Sequence, residues 1–335
     1  MQPVKNRIEW LSALQGFSML LVVLGHVTLS DQFQDPAHPV AAALERIIYT
    51  FHMPLFIFIS GWLFCLTCLD RDITYKDAMR KKFLRLGVPF LAFTVVTIVI
   101  KLGLSHFVKR PVDAQELIDT FILFRSNPLG EMWFIIVLLI LMLCFPVYKW
   151  LIKNNALIWG LCGSLLLFIV VPEDISYFNL SKAVRLLVYF IMGLICCRYK
   201  LVEKYASECS TVIISLALFI CVNCLELTSE IIPPHANYVI GCMAGIALST
   251  SLCCYLVKIR PTAFDSFSRY TFQIFLLGIF FQIAVRILYG RIGHTGLFIY
   301  PLLFLVSVIV GIYVPVAIAR LIESRFPRIK KFIGL

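Results

Sequence analysis

The sequence predicts an all-α integral membrane protein, a bundle of about ten transmembrane helices with both termini in the cytoplasm. Three observations carry that expectation. Of the 335 residues, 60% are hydrophobic and 15% charged, whereas a soluble domain carries about 25% charged residues. Ten apolar segments approach the length needed to cross a hydrocarbon core of about 30 Å: 10–29, 46–66, 87–104, 131–149, 156–171, 183–197, 209–226, 237–257, 270–289 and 296–319. About two thirds of the 30 Lys and Arg fall at segment ends on one side when the N-terminus is inside, the side the positive-inside rule assigns to the cytoplasm. Continuous apolar runs exclude a β-barrel, whose strands alternate. The net charge of +11 follows from this topology and asks for no nucleic-acid partner.

In chain order, the first segment lacks a small-residue cleavage site, so it is expected to remain as an anchor, and it ends near Gly25-His26. A loop at about 30–45 leads to the second segment, which carries Phe51-His52-Met53-Pro54 near its outer start. The polar stretch 70–85 ends in Arg80-Lys81-Lys82-Phe83-Leu84-Arg85, immediately before the third segment. Residues 105–130 join the third and fourth, and Glu131-Met132-Trp133-Phe134 opens the fourth from outside. The fifth and sixth are short, the sixth being opened on the outer side by Lys182 and Arg185. From the fourth segment onward the spans hold most of the 12 cysteines, which are expected to pack as small apolar residues. The Cys65/Cys68 and Cys221/Cys224 spacings have no second ligand pair nearby, so no metal is expected. No polar stretch is long enough to fold alone, and residues 1–335 are expected to form a single membrane domain without a soluble one.

Chemistry must then sit on helix faces or ends. An ionisable side chain inside a bilayer is costly and marks a functional candidate. His26 and His52 flank one outer loop and can meet in the outer half of the membrane; imidazole suits removal of a proton from a hydroxyl nucleophile. A hydrogen-bonded structural role is the alternative for each. Asp31 and Asp35 are near enough in sequence to orient an imidazole. Gln15 lies eleven residues before His26, on nearly the same helix face and about 16 Å nearer the cytoplasm, with Ser12, Gly16 and Ser18 nearby. Lys81, Lys82 and Arg85 satisfy positive-inside topology; they are also the chemistry of a phosphate clamp. Glu131, Trp133, Lys182 and Arg185 stand at one outer level and could hold a sugar and its diphosphate, with Arg125, Arg286 and Arg291 as further outer cations. Trp133 equally suits an interfacial belt. A proton-coupled transporter or flippase for a lipid-linked sugar or small polar solute would use the histidines as relays and want a midspan carboxylate. Glu131 and Glu226 lie at span ends instead.

Several of these stretches resemble the acyltransferase-3 family. Arg7-Ile8-Glu9-Trp10-Leu11 through Leu14-Gln15-Gly16-Phe17 to Leu24-Gly25-His26 is similar to its opening. Phe51-His52-Met53-Pro54-Leu55-Phe56-Ile57-Phe58-Ile59-Ser60-Gly61-Trp62-Leu63-Phe64 resembles its second helix, and Lys81-Lys82-Phe83-Leu84-Arg85-Leu86-Gly87-Val88-Pro89-Phe90 its third-helix entry. Met132-Trp133-Phe134-Ile135 is similar to a later motif, and the whole is most like the fucose 4-O-acetylase branch.

The resemblance implies a ten-helix enzyme of the bacterial inner membrane. Such an enzyme moves an acyl group, usually acetyl from cytoplasmic acetyl-CoA, to a hydroxyl of a cell-surface glycan or its polyprenyl-linked precursor. It implies His26 as the essential histidine and Lys82 with Arg85 as the basic pair. Three positions depart from the family pattern: Gln15 stands for a cation, Lys82 for an arginine, and Gly278 for a histidine after Thr271-Phe272-Gln273-Ile274-Phe275-Leu276-Leu277.

Overall fold

A computed structural model describes residues 8–27, 39–69, 71, 73–103, 112–206, 208–228, 234–292 and 299–335. Asp31 and Asp35 lie outside the described residues, as do the side chains of Glu226 and Arg291. All regular elements among the described residues are helical. An apolar segment in lipid must satisfy its own backbone polar groups, and the helix does so within the segment.

The α-helices are α1 (Glu9–Val27), α2 (Pro39–Phe64), α3 (Tyr75–Lys82), α4 (Val88–Gly103), α5 (Ala114–Phe121), α6 (Trp133–Leu143) and α7 (Phe145–Lys153). They continue with α8 (Leu157–Val170), α9 (Leu180–Arg198), α10 (Leu201–Tyr205), α11 (Cys209–Thr228), α12 (Pro234–Ile259), α13 (Thr271–Ile292) and α14 (Ile299–Arg325). π-helical turns follow α2 at Cys65–Leu69 and join α3 to α4 at Phe83–Gly87.

A helix stands at each of the ten apolar places. Seven helical segments among the described residues are long and apolar enough to cross a membrane: Glu9–Val27, Ala43–Leu69, Tyr75–Gly103, Tyr177–Arg198, Ala236–Ile259, Ser268–Leu288 and Pro301–Arg325. Gly130–Leu143 and Phe145–Lys153 make an eighth if counted together, bent by 46° at their junction. Pro146 occupies the first turn of α7, where its missing N–H and fixed ring forbid continuation of the α6 ladder. Leu157–Val170 and Cys209–Cys224 are apolar but shorter.

The described chain packs as two units. The first comprises 1–59 and 200–325. Its centre is α1, which packs against α12, α13, α14 and the turn Ser268–Tyr270. Met19, Val22 and Val23 of α1 meet Phe267, Tyr270 and Ile274, together with Ile312, Val316 and Ala319 of α14. Helices in lipid gain little from the hydrophobic effect on association, so close packing and interhelical hydrogen bonds hold them.

The second unit comprises 60–199 and 326–335. Its core is aromatic: the Phe64 ring lies 5.8 Å from Phe145, 6.1 Å from Tyr148 and 5.7 Å from Phe190, centroid to centroid. Gly61 lets the last turns of α2 approach α9, because a Cβ there would overlap the Phe190 carbonyl. That obstacle is backbone and cannot swing aside. Gly61→Val is therefore expected to cost about 1–3 kcal/mol of stability by overpacking, read as a lower unfolding midpoint in detergent micelles. An unchanged midpoint would show that the two helices separate freely.

Candidate active site

His52 is fully inside the first unit, 6% exposed. Its Nδ1 lies 2.8 Å from the carbonyl oxygen of Ile48, one turn back on α2. A carbonyl can only accept, so Nδ1 carries a proton, and in the neutral ring the lone pair is then on Nε2. The Tyr49 ring packs edge-on against the imidazole, 4.9 Å between centroids. His26 occupies the last turn of α1 and is half-buried, with its Nδ1 shielded from solvent. Its neighbour Gly25 backs onto the Tyr49 and Ile48 side chains, where a Cβ would come within 3.0 and 3.4 Å. The last turn of α1, which carries His26, thus lies against the turn of α2 whose Ile48 and Tyr49 contact His52.

The backbone beneath His52 has a specific repair. Pro54 has no N–H and leaves the carbonyl of Thr50 without its helical partner. The Cys242 thiol of α12, fully buried, donates to that oxygen at 3.0 Å. Gly241 lies opposite the Thr50 methyl group, and a Cβ on Gly245 would overlap the Phe51 ring, so α12 lies close along this stretch of α2.

Along α1 toward Gln15, the polar residues part ways. Ser18 donates to the Leu14 carbonyl of its own helix at 2.6 Å, and Ser12 meets the Ser268 hydroxyl at 3.1 Å. Gln15 itself is half-buried. On the other side of α1, the Gln282 amide of α13 donates to the Val23 carbonyl at 2.9 Å. Gly278, one turn before Gln282, sits where a Cβ would come within 2.9 Å of the Gly311 carbonyl of α14. A histidine at 278 would meet that backbone, a physical reason for the departure at this position.

In the second unit the basic cluster divides. Lys81 and Arg85 are exposed, while Lys82 turns inward and is half-buried. The Lys82 ammonium lies 3.5 Å from the Thr67 hydroxyl and 5.6 Å from the Phe64 ring centroid. The π-helical turn that starts at Phe83 follows it directly, a local change in helical phase of the kind that often marks functional positions. No carboxylate among the described residues pairs with Lys82.

Among the residues expected at the outer side, Lys182 stands over the Trp133 ring, 4.6 Å from its centroid. Glu131 is half-buried in the short turn Gly130–Met132 that leads into Trp133. Arg185 is held elsewhere, by Glu173 at 2.8 Å and over the Phe168 ring at 4.8 Å. Arg125 is also committed, to Asp119 at 2.8 Å. The Arg125 hydrogen bond, aided by the Gln115 amide, holds the Asp119 carboxyl below the usual carboxylate range. Arg286 is half-buried with its Nε shielded from solvent. Among the described residues, no group of three or more His, Cys, Asp or Glu could hold a metal ion.

Sequence reasoning missed Cys242 and Gln282. Cys242 carried no signal beyond the Pro54 that creates a need for a donor. Gln282 did carry one, as an uncharged but strongly polar side chain inside an apolar span.

A protein-family model described as "Acyltransferase domain", the acyltransferase-3 model, matches residues 8–320. The nodulation protein NolL of Sinorhizobium fredii (strain NBRC 101917 / NGR234) is 28% identical over 180 residues, covering 53% of this chain and 46% of NolL. The match therefore spans about half of that relative's length. No solved structure matches the chain.

Removing the Cys242 thiol would strand the Thr50 carbonyl in apolar surroundings. Cys242→Ala is expected to cost about 1–3 kcal/mol of stability, and Cys242→Ser, which keeps a donor, clearly less. Denaturant unfolding of the three proteins in micelles checks the ranking; equal loss in both variants would mean that volume rather than the hydrogen bond matters.

Proposed function

Because the chain belongs to the acyltransferase-3 family, we propose that it is a membrane O-acyltransferase that moves acetyl from cytoplasmic acetyl-CoA to a hydroxyl of a glycan. The observation that carries this reading is the His26–His52 pair, held at the end of α1 against α2 with the His52 tautomer set by Ile48. His26 takes the proton of the acceptor hydroxyl as its oxygen attacks the thioester carbonyl. The C–S bond then breaks, and the departing CoA thiolate recovers the proton from the imidazolium. His52, with Nε2 as its acceptor, orients the acceptor or His26.

Lys81, Lys82 and Arg85 take the donor phosphates. Supporting this, Lys82 is a half-buried cation beside a hydroxyl and an aromatic ring, paired with no carboxylate among the described residues, a setting that favours an incoming anion. Gln15 contributes an uncharged amide toward the donor. Glu131, Trp133 and Lys182 bind the sugar acceptor, the Trp133 face and the Lys182 ammonium suiting a sugar ring and its phosphate, while Arg185 is engaged by Glu173 instead. The acceptor is a cell-surface glycan or its polyprenyl-linked precursor, on the pattern of the fucose 4-O-acetylase branch. The chain works as one membrane domain of ten spans in the bacterial inner membrane, with both termini cytoplasmic.

The test is transfer of radiolabelled acetyl from acetyl-CoA by purified protein in liposomes. His26→Ala is expected to lower turnover at least about 100-fold, the scale of a lost general base. Lys82→Ala is expected to raise the acetyl-CoA KM several-fold, as loss of a charge-assisted phosphate contact would. Unchanged turnover in His26→Ala would overturn the assignment of the base.

A further inference from the structure

We infer that Gln282 is a positioning residue for His26, a role that rests on His26 being the base. Gln282 is 1% exposed, in the middle of an apolar helix. Burying a primary amide is costly unless its hydrogen bonds are made. Here the amide is spent on one backbone oxygen, the Val23 carbonyl of α1, at 2.9 Å.

That oxygen opens the final turn of α1, which ends at Val27, and faces the Val27 N–H four residues on. The carbonyls of residues 24–27 have no such helical partner, so this turn is the one that frays, and a second donor on the oxygen at its base ties it down. His26 lies three residues beyond Val23, on the neighbouring position of the same helix surface. A bond from α13 to Val23 therefore fixes the turn from which the imidazole projects. Gly25, in the same turn, is pressed against Tyr49 and Ile48 from the α2 side. The turn is gripped from two directions, by packing on one and by the Gln282 amide on the other.

The surroundings of Gln282 are shaped to let its side chain make this reach. A Cβ on Gly311 of α14 would come within 3.0 Å of the Gln282 Cγ, 3.1 Å of its Cδ and 3.3 Å of its Nε2. A side chain at 311 would press on the glutamine by a few tenths of an ångström where it passes between α13 and α14. Gly278, one turn earlier on α13, admits the Gly311 backbone in the same way. The two glycines bring α14 close where Gln282 crosses toward α1.

The experiment compares wild type, Gln282→Met and Gln282→Leu with His26→Ala, all full length in liposomes. Methionine and leucine keep most of the volume and carry no donor for the Val23 oxygen. The first readout is the rate at which diethylpyrocarbonate carbethoxylates His26 and His52, followed on separate peptides by mass spectrometry. The second is kcat and KM for acetyl-CoA. Positioning predicts a several-fold change in the His26 rate in both variants, with His52 within about twofold of wild type. It also predicts a kcat at least about 10-fold lower at an unchanged donor KM, as displacement of a base from its reacting geometry would give.

A His26 rate and a kcat both within about twofold of wild type would overturn the proposal, and so would parallel changes at both histidines that track a lower unfolding midpoint, the mark of a merely structural bond. Should His26→Ala turn over like the wild type, the reading of His26 as the base fails, and with it any catalytic consequence of Gln282. The carbethoxylation rates still report whether Gln282 holds His26. Should His26→Ala be dead and both Gln282 variants behave as wild type in both readouts, the positioning role alone falls.

Discussion

Polar groups inside an apolar slab must find partners within the protein, and the arrangement of this chain follows from how each does so. The carbonyl of Thr50 shows it most directly. Pro54 removes the N–H that would have bonded it, and a cysteine from a helix almost two hundred residues away in sequence supplies the donor. The carbonyl of Val23, beside its bond within α1, takes a further donor from another helix, Gln282. Each histidine-bearing helix thus has a backbone oxygen tied down near its histidine by a side chain from another helix. His52 meets the same demand locally, by donating to the Ile48 carbonyl, and its tautomer follows from that choice.

Charged side chains obey the constraint with different outcomes. Arg125 and Arg185 are neutralised by Asp119 and Glu173, and Arg269 by Glu323, which also accepts from the Tyr270 hydroxyl at 2.9 Å. These cations are occupied by partners within their own unit. Lys82 differs, since no carboxylate among the described residues pairs with it. A hydroxyl and a ring face lower the cost of a half-buried ammonium but do not neutralise it. That contrast, more than the number of basic residues near the third span, separates a candidate phosphate ligand from ordinary positive-inside charge.

Close helix approach is the other recurring device. Glycines stand where backbone meets backbone, Gly61 at the Phe190 carbonyl and Gly278 at Gly311. Small residues at such crossings compensate for the weak hydrophobic drive between helices in lipid. They also constrain chemistry, because a functional side chain at a crossing would have no space. Polar groups are accordingly found beside the crossings, as Gln282 is beside Gly278.

Much was legible from sequence because the relevant signals are local. A spanning helix needs about 20 apolar residues in a row, so helices are legible at the apolar places, although only seven segments, or eight with the bent pair, are long enough to cross. His26 and His52 stand out because an ionisable group in such a run is rare. The basic cluster and the Trp133–Lys182 level could be read from charge at span ends. Partner choice could not. Nothing in the run 80–85 says that Lys82 turns inward while Lys81 and Arg85 face out. The 46° break before α7 reduces a plain apolar run to a bent pair. Arg185 and Arg125 read as outer cations like Lys182, yet each has its own carboxylate. Hydropathy sums along the chain, whereas a hydrogen bond depends on which helices cross, at what register, and which face each presents. Apolar runs specify a set of membrane helices and single out two histidines, because both are local properties of the chain; which polar atoms bond near them depends on how helices distant in sequence cross.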